Sequence, residues 1–390
     1  MSYALTTIWH DRSRFLPAIL AVAFSAVLIA AQSGLLVGML SMMSTPVDKA
    51  AADIWVGYPG VQSVDLGRPI PTSWKNRLKQ QREISGEVEE VIMGMAQWCA
   101  PPTARRPVAL TDVCTVIGTQ LDSNSIAAVE PIRRNPQLLA ALSEPLTVLI
   151  DRSDCVRLGI EHINERAFVM GRPLRVVGFV EGVHGLGGAY VFCSSETARM
   201  ILGLFETQAS YLVAKCANPD DAPRVVERMR QEFGKPSAMF QAPKMSVFTR
   251  DEFSFRTRMN WMTVTKAGLA IAFCAILGLV VGAVVTSQTL YAATAAAQRE
   301  YATLRAMGIP RWRLQLSVLT QSFWVGLGGL IAATPVALLL AEVARWMGTQ
   351  VQLTPNIIIP AAVITMGMSM GSGLLALRSL QKTDPVLNIR

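Results

Sequence analysis

The chain has 390 residues, 51% of them hydrophobic and only 16% charged, with a net charge of +8. Soluble globular domains carry about 25% charged residues, so a string of soluble domains is excluded. A nucleic-acid binder is disfavoured too, because no basic stripe interleaved with aromatics occurs and much of the positive excess flanks long uncharged stretches.

Residues 1–14 read as an interfacial helix on which Leu5, Ile8, Trp9 and Arg12 suit one face, with Trp9 at headgroup depth. Four stretches then lack any charge: residues 15–43, 267–298, 314–341 and 347–377. Each exceeds the roughly 20 apolar residues that cross a bilayer core of about 30 Å. They place transmembrane helices at 15–43, 267–291, 314–341 and 351–377. The first is longer than the apolar region of a secretory signal, about 7–15 residues, and reads as a retained anchor.

Between the first two spans, residues 44–245 read as a mixed α/β domain. β-rich runs occur at 88–95, 113–119, 146–150 and 174–180, with a turn at Gly171-Arg172-Pro173. Ser194 or Ser195 caps a helix extending to about Phe205. A strand over 210–215, a helix over 219–233 opened by Asn218, and a strand over 238–241 follow. From Lys244 the pattern turns helical: Phe248, Phe255, Met259 and Met262 recur on one face, giving a stalk helix over 246–266 that feeds the second span. Gly34/Gly38, Gly278/Gly282 and Gly367/Gly371 are small-xxx-small pairs that let membrane helices approach closely.

Orientation follows from the short loops. Residues 292–313 carry Arg299, Arg305, Arg311 and Arg313 against Glu300, and the tail 378–390 carries Arg378, Lys382 and Arg390. The opposite loop, 342–350, holds only Arg345 and Glu342. The positive-inside rule puts both termini and the arginine loop in the cytoplasm and the large domain outside. Arg250, Arg256, Arg258 and Lys266 crowd the outer approach to the second span, but long domains translocate largely regardless of charge.

Catalytic equipment is sparse. His10, His162 and His184 are the only histidines and none has metalloprotease spacing. His184 lies in Val183-His184-Gly185-Leu186-Gly187-Gly188, which reads as a hairpin loop rather than a phosphate cradle. No Gly-x-Ser-x-Gly elbow occurs, and Gly234-Lys235-Pro236 is not a P-loop. No catalytic, cofactor or metal residue is assigned. Cys99, Cys114, Cys155, Cys193 and Cys216 of the domain permit one or two disulfides, and their odd number leaves at least one free thiol or an intermolecular pair, whereas Cys274 falls in a span.

The segment Arg299-Glu300-Tyr301-Ala302-Thr303-Leu304-Arg305-Ala306-Met307-Gly308-Ile309-Pro310 reads as a short helix ended by Gly308 and Pro310. A two-turn helix is marginal alone and calls for a docking partner. Through Arg299, Glu300, Leu304, Arg305, Ala306 and Gly308 this segment resembles the cytoplasmic signature of FtsX-like permeases of the macrolide-exporter (MacB) type, and the layout of one span, a large domain and three spans is similar to that family's. The single-module length is similar to the DevC-type branch. The resemblance implies a multi-pass α-helical membrane protein of the bacterial inner membrane, with four transmembrane helices and a large mixed α/β extracytoplasmic domain between the first and second. It implies a permease homodimer of an ABC exporter, not itself an enzyme and binding no cofactor, with ATP and magnesium on a separate cytoplasmic ATPase, a HlyD-like periplasmic adaptor above, membrane lipid around it and no nucleic acid. Arg299, Glu300, Tyr301, Leu304, Arg305, Ala306, Met307 and Gly308 would then couple the chain to the ATPase. The alternatives are a mechanical transmitter that switches a cell-wall hydrolase or sensor without transport, and a scaffold that binds no ATPase.

Overall fold

The computed structural model describes residues 12–103, 106–233, 236–237, 240–243, 245–264, 266–296, 310–346 and 353–382. The chain divides into two units, one of residues 1–39 with 266–390 and one of residues 40–265.

Helix α1 (Arg12–Asp48) is 37 residues long. At about 1.5 Å per residue it extends roughly 55 Å, well beyond a bilayer core. It therefore continues past the expected boundary at 43, and its last turns belong to the second unit. There the hydroxyl of Thr45 donates back to the Ser41 carbonyl at 3.1 Å.

The inserted domain follows in chain order as β1 (Ile54–Gly57), β2 (Ile70–Pro71), α2 (Lys75–Lys79), β3 (Glu89–Ala100), β4 (Leu110–Thr119), α3 (Glu130–Arg133), α4 (Pro136–Leu142), β5 (Thr147–Asp151) and α5 (Cys155–Leu158). Then come β6 (Arg166–Val169), β7 (Arg172–Val180), β8 (Ala189–Ser194), α6 (Ser195–Leu202), β9 (Gln208–Ala209), β10 (Tyr211–Ala214), α7 (Ala222–Phe233), β11 (Pro236–Ser237), β12 (Phe240–Pro243), β13 (Ser246–Thr249) and α8 (Arg250–Val264). Local chemistry sets the punctuation. The side chains of Asn135, Ser194 and Asn218 accept backbone N–H groups at helix starts. Gly203 adopts φ +67° and ends α6 short of the expected Phe205, because only glycine takes that left-handed cap without strain. The β6–β7 turn is Met170-Gly171, with φ of 50° and 76°, so Arg172 and Pro173 already lie in β7.

The large sheet runs β13-β1-β10-β3-β4-β8-β5-β7-β6, and β6 returns to pair with β3 through Trp98↔Val169 and Cys99↔Phe168. Six strands, β3-β4-β8-β5-β7-β6, thus close on themselves. Their inward side chains include Trp98, Cys114, Val116, Ile150, Val176 and Val191, all essentially buried. The Trp98 indole N–H donates to the Leu158 carbonyl at 3.0 Å, which satisfies the one polar group of that core aromatic. The opposite face of these strands buries Val91, Met93, Ile117, Tyr190 and Phe192, and the same cluster takes in Trp55 of β1 and Tyr211 of β10. All six cysteines are free thiols, and Cys114, Cys193 and Cys216 are buried as small core residues.

Residues 246–249 are not helical as expected but form β13, paired antiparallel with β1 through Ile54↔Thr249 and Trp55↔Phe248. Tertiary pairing outweighs the local helical pattern, since Val247 and Phe248 bury themselves only as strand residues. Of the strand expected over 238–241, residues 240–241 lie in β12, and Ala238 and Met239 fall outside the described residues.

The other unit holds the first part of α1 with α9 (Lys266–Ala296), α10 (Arg311–Trp346) and α11 (Pro355–Lys382). Among the described residues, four helices are long and apolar enough to cross a membrane, with spans Phe15–Asp48, Ala272–Thr289, Leu316–Ala344 and Pro355–Leu374. Glycines set their closest approaches. A Cβ on Gly278 would meet the Gln32 amide at 2.1 Å, one on Gly329 would meet Val22 at 2.6 Å, and one on Gly373 would meet Ser322 at 2.2 Å. Ser369 donates to the Ser322 carbonyl at 2.7 Å, so α10 and α11 are also joined by a hydrogen bond away from water.

In the domain, a Cβ on Gly118 would lie 2.3 Å from Ala198 Cβ and 3.0 Å from the Ser194 carbonyl, where α6 lies on β4. Gly118→Ala should therefore destabilise the domain by about 1–3 kcal/mol through overpacking, read as a lowered unfolding midpoint of the detergent-solubilised chain.

Candidate functional site

The residues assigned to coupling, Arg299, Glu300, Tyr301, Leu304, Arg305, Ala306, Met307 and Gly308, lie outside the described residues, as do residues 1–11. The described site with the most organised chemistry is instead the place where α1 enters the domain and α8 leaves it. Because Ile54 pairs with Thr249, entry and exit fall at the same end of two adjacent strands.

Helix α8 begins with a side-chain cap from Thr249. Thr249 Oγ1 accepts the N–H of Glu252 at 3.2 Å, and the Glu252 carboxylate accepts both bonds, at 2.7 and 2.6 Å, from Arg230 of α7. The spacing Thr249-x-x-Glu252 is visible in the sequence and marks the true helix start, which the periodicity argument overran. The expected apolar face divides as well. Phe253, Ser254 and Thr257 face the domain, while Phe255 and Met259 are exposed and Phe248 belongs to β13.

Phe253 is the anchor. It is fully buried, stacks on Phe248 with centroids 5.1 Å apart and an interplanar angle of 4°, and lies 5.6 and 5.8 Å from the rings of Tyr211 and Trp55. Tyr211 extends this cluster by donating its hydroxyl to the Val64 carbonyl at 2.7 Å. Thr257 Oγ1 accepts the Val64 N–H at 3.2 Å, so the 3₁₀ turn Val64–Leu66 is held from both sides.

Polar ties connect the two helices directly. Arg258 Nη2 donates to Asp48 Oδ2 at 2.5 Å, and its Nε donates to Ser44 Oγ at 2.8 Å. Ser44 in turn donates to Asp48 at 2.6 Å. Arg256 donates from Nε to the Val61 carbonyl at 3.1 Å and rests over the Phe248 ring. Two of the arginines that crowd the approach to the second span in sequence, Arg256 and Arg258, are therefore internal ties of this unit. Nothing in the local pattern announced them, because their partners lie about two hundred residues upstream.

A loop completes the junction. Residues 181–188 link β7 to β8, and both strands flank β5, so the segment crosses the end of β5 and is no hairpin. Asp151 Oδ2 accepts the Val183 N–H at 2.6 Å, and Lys49 Nζ donates to the Gly182 carbonyl at 2.7 Å. Tyr190 donates its hydroxyl to the Met42 carbonyl at 3.2 Å. Gly185 sits where a Cβ would meet the Tyr190 ring at 2.7 Å, and Gly187 where one would meet the Trp261 ring at 2.9 Å. Those glycines permit close packing rather than phosphate binding.

Two titratable groups near Asp151 lack hydrogen-bond partners: Asp154 Oδ2 and both ring nitrogens of His184, whose Nδ1 is 4.0 Å from Asp151 Oδ2. Burial, then the Asp151 charge, pushes the Asp154 carboxyl up to about 6. Burial lowers His184, with Asp151 opposing and Lys49 reinforcing. Among the described residues no group of three or more His, Cys, Asp or Glu side chains could hold a metal ion.

Residues 15–232 match the family model described as MacB-like periplasmic core domain, and residues 272–385 match the one described as FtsX-like permease C-terminal. The chain is also similar to the periplasmic region of MacB from Actinobacillus actinomycetemcomitans, at 12% identity over 53% of this chain and 92% of that one, TM-score 0.35. It is similar to the extracellular domain of the ABC-type transporter YknZ from Gram-positive bacteria, at 10% identity over 50% of this chain and 99% of that one, TM-score 0.33. No curated protein matches the chain.

Two outcomes follow from the junction. Phe253→Ala should cost about 3–5 kcal/mol, whereas a double-mutant cycle on the half-exposed Asp48–Arg258 pair should give a coupling of only about 0.2–1 kcal/mol. Both are read by unfolding the solubilised chain. The second concerns pH. Folded Asp154 holds its proton up to about pH 6 while the unfolded group releases it near 3.8, so its contribution is full below 3.8 and is lost as pH rises to about 6. His184 acts oppositely: its contribution is present above its ordinary value of 6.5 and is lost as pH falls. Asp154→Asn should therefore remove the loss of stability between pH 3.8 and about 6, measured as the unfolding midpoint against pH.

Proposed function

Because the chain belongs to the family of FtsX-like permeases carrying a MacB-like periplasmic core domain, we propose that it is a permease subunit that converts ATP hydrolysis by a separate ATPase into movement of its inserted domain, and so extrudes a substrate taken from the periplasm or the outer leaflet. The observation that carries this reading is the junction. Each of the two helices that join the domain to the spans is fixed into the domain by a buried aromatic, by a strand or by ion-paired hydrogen bonds. In this reading the motion enters the domain through those fixed helix ends.

In this reading the termini and the arginine loop are cytoplasmic, and Arg299, Glu300, Tyr301, Leu304, Arg305, Ala306, Met307 and Gly308 seat in a groove of the ATPase. A second copy of the chain and a periplasmic adaptor complete the assembly. The polar side chains buried in the described spans, such as Ser25, Gln321, Ser322, Thr365 and Ser369, are uncharged, which suits a lever better than an ion path. The same stiffness favours a second reading, in which the domain switches a cell-wall hydrolase or sensor and nothing is transported.

Arg305→Glu and Gly308→Glu should abolish stimulation of the partner ATPase by the permease and abolish export, while leaving the thermal stability of the solubilised chain unchanged. Retention of both activities would refute the coupling role. ATPase stimulation that responds to a periplasmic hydrolase in the absence of any exported molecule would favour the second reading.

A further inference from the structure

His184 is a nearly buried titratable side chain that the fold does not satisfy. Both ring nitrogens lack a hydrogen-bond partner, and only 12% of the side chain is exposed. It stands at the base of a tight turn, residues 185–188, in the segment that crosses β5. A Cβ on Gly185 would come within 2.6 Å of the Gly188 carbonyl, so the turn closes on itself. Leu186 and Gly187 at its tip are exposed. The turn rests on two rings: Cβ atoms on Gly185 and Gly187 would come 2.7 Å from Tyr190 of β8 and 2.9 Å from Trp261 of α8.

A neutral imidazole occupies this place at the cost of its unmade hydrogen bonds. A protonated one is a cation with two N–H donors, and its surroundings do not accept them. Asp151 of β5 is the carboxylate beside it, 4.0 Å from Nδ1, but its Oδ2 already takes the Val183 N–H and its Oδ1 takes the N–H and hydroxyl of Ser153. Lys49, just after α1, brings a charge of the same sign, with its ammonium bonded to the Gly182 carbonyl two residues from His184. Burial therefore holds the ring neutral, with Asp151 opposing and Lys49 reinforcing. The charged groups on the surrounding elements are engaged elsewhere. Asp48 pairs with Arg258 of α8, Glu181 with Arg152, and Asp65 accepts the Trp261 indole N–H. Asp154 keeps its proton up to about pH 6, and the Tyr190 hydroxyl is bonded to the Met42 carbonyl.

We infer that residues 184–188 form an acid-opened clasp on α8: when His184 takes up a proton, the ring and its glycine turn swing out to water, where both donors are satisfied, and Gly187 leaves Trp261. Val183 is fully buried and stays in place, and Gly182, at φ +73°, supplies the backbone freedom beside it. The device lies wholly within the inserted domain and holds whether or not the chain exports a substrate.

The test uses the full chain in detergent, with a spin-labelled amino acid in place of Leu186 or, as reference, of Val156, which is 89% exposed on α5. A ring that titrates at its ordinary 6.5 once open favours the open turn by up to about tenfold between about pH 7.5 and about pH 5.5. The ratio of mobile to immobile label at 186 should rise by that factor, with no change at 156. His184→Phe keeps the bulk of the ring and removes its charge, and should abolish the rise. Asp154→Asn should leave it intact. No rise in the parent would overturn the inference, as would a rise that survives in His184→Phe or one that disappears in Asp154→Asn. If His184→Phe does not fold, exchange of the imidazole C2 hydrogen in the unaltered chain decides, because His10, His162 and His184 fall in separate peptides. The His184 exchange should titrate below 6.5. A midpoint above 6.5 would mean that Asp151 holds the imidazolium inside, and the clasp would be refuted.

Discussion

Burial of one aromatic ring holds the junction together. Phe253 fills the space between Trp55 of β1, Tyr211 of β10 and Phe248 of β13, and in doing so joins the exit helix to three neighbouring strands at once. A buried aromatic of this size contributes several kcal/mol, whereas a half-exposed ion pair contributes about 1 kcal/mol or less. The Arg258–Asp48 and Arg256–Val61 ties accordingly set the rotation and register of the helix, and the aromatic cluster holds it in place. The hydroxyl of Tyr211 carries this order outward to the turn at Val64, which brings Asp65 to the indole of Trp261.

Buried carboxylates play the corresponding part for the loops. Glu89, at the start of β3, accepts hydrogen bonds from Ser125 Oγ and from the N–H groups of Ile126 and Ala127, and Ile126 in turn accepts the N–H of Ala51 just after α1. Asp151 accepts the N–H of Ser153 after its own strand and that of Val183 in the segment that crosses β5. Each is a buried charge surrounded by several donors, the condition under which such burial is tolerated. Asp154 departs from it, with one oxygen unsatisfied and its proton held toward neutral pH. The segment beside His184 is therefore the part of the junction whose stability depends on acidity.

What was legible in the sequence follows the range of the forces involved. A bilayer acts on every residue of a span, so the four charge-free stretches declared themselves by length alone. Strands β3, β4, β5 and β7 were legible because alternation and β-branched residues are local. The closure of β6 onto β3 was not, since Trp98 and Val169 carry no mark of each other. Nor were the roles of Arg256 and Arg258, which as charges beside a span suggest topology and in the fold are structural donors. The start of α8 was written in Thr249 and Glu252, yet the apolar spacing of Phe248 and Phe255 masked it. The arginine loop stands apart, because its assignment rests on resemblance and its residues lie outside those described.

The pairing of Ile54 with Thr249 has a consequence for the architecture as a whole. Partnered residues on antiparallel strands have Cα atoms about 4.5–5.5 Å apart, so nearly two hundred residues of domain begin and end within one strand spacing. A module with adjacent ends can be inserted into a helical scaffold, enlarged or exchanged without altering the spacing of the helices on either side. In this chain the membrane helices and the domain are thus free to diversify separately, with the small set of side chains around Phe253, Asp48 and Arg258 as the shared fitting that any replacement module would have to reproduce.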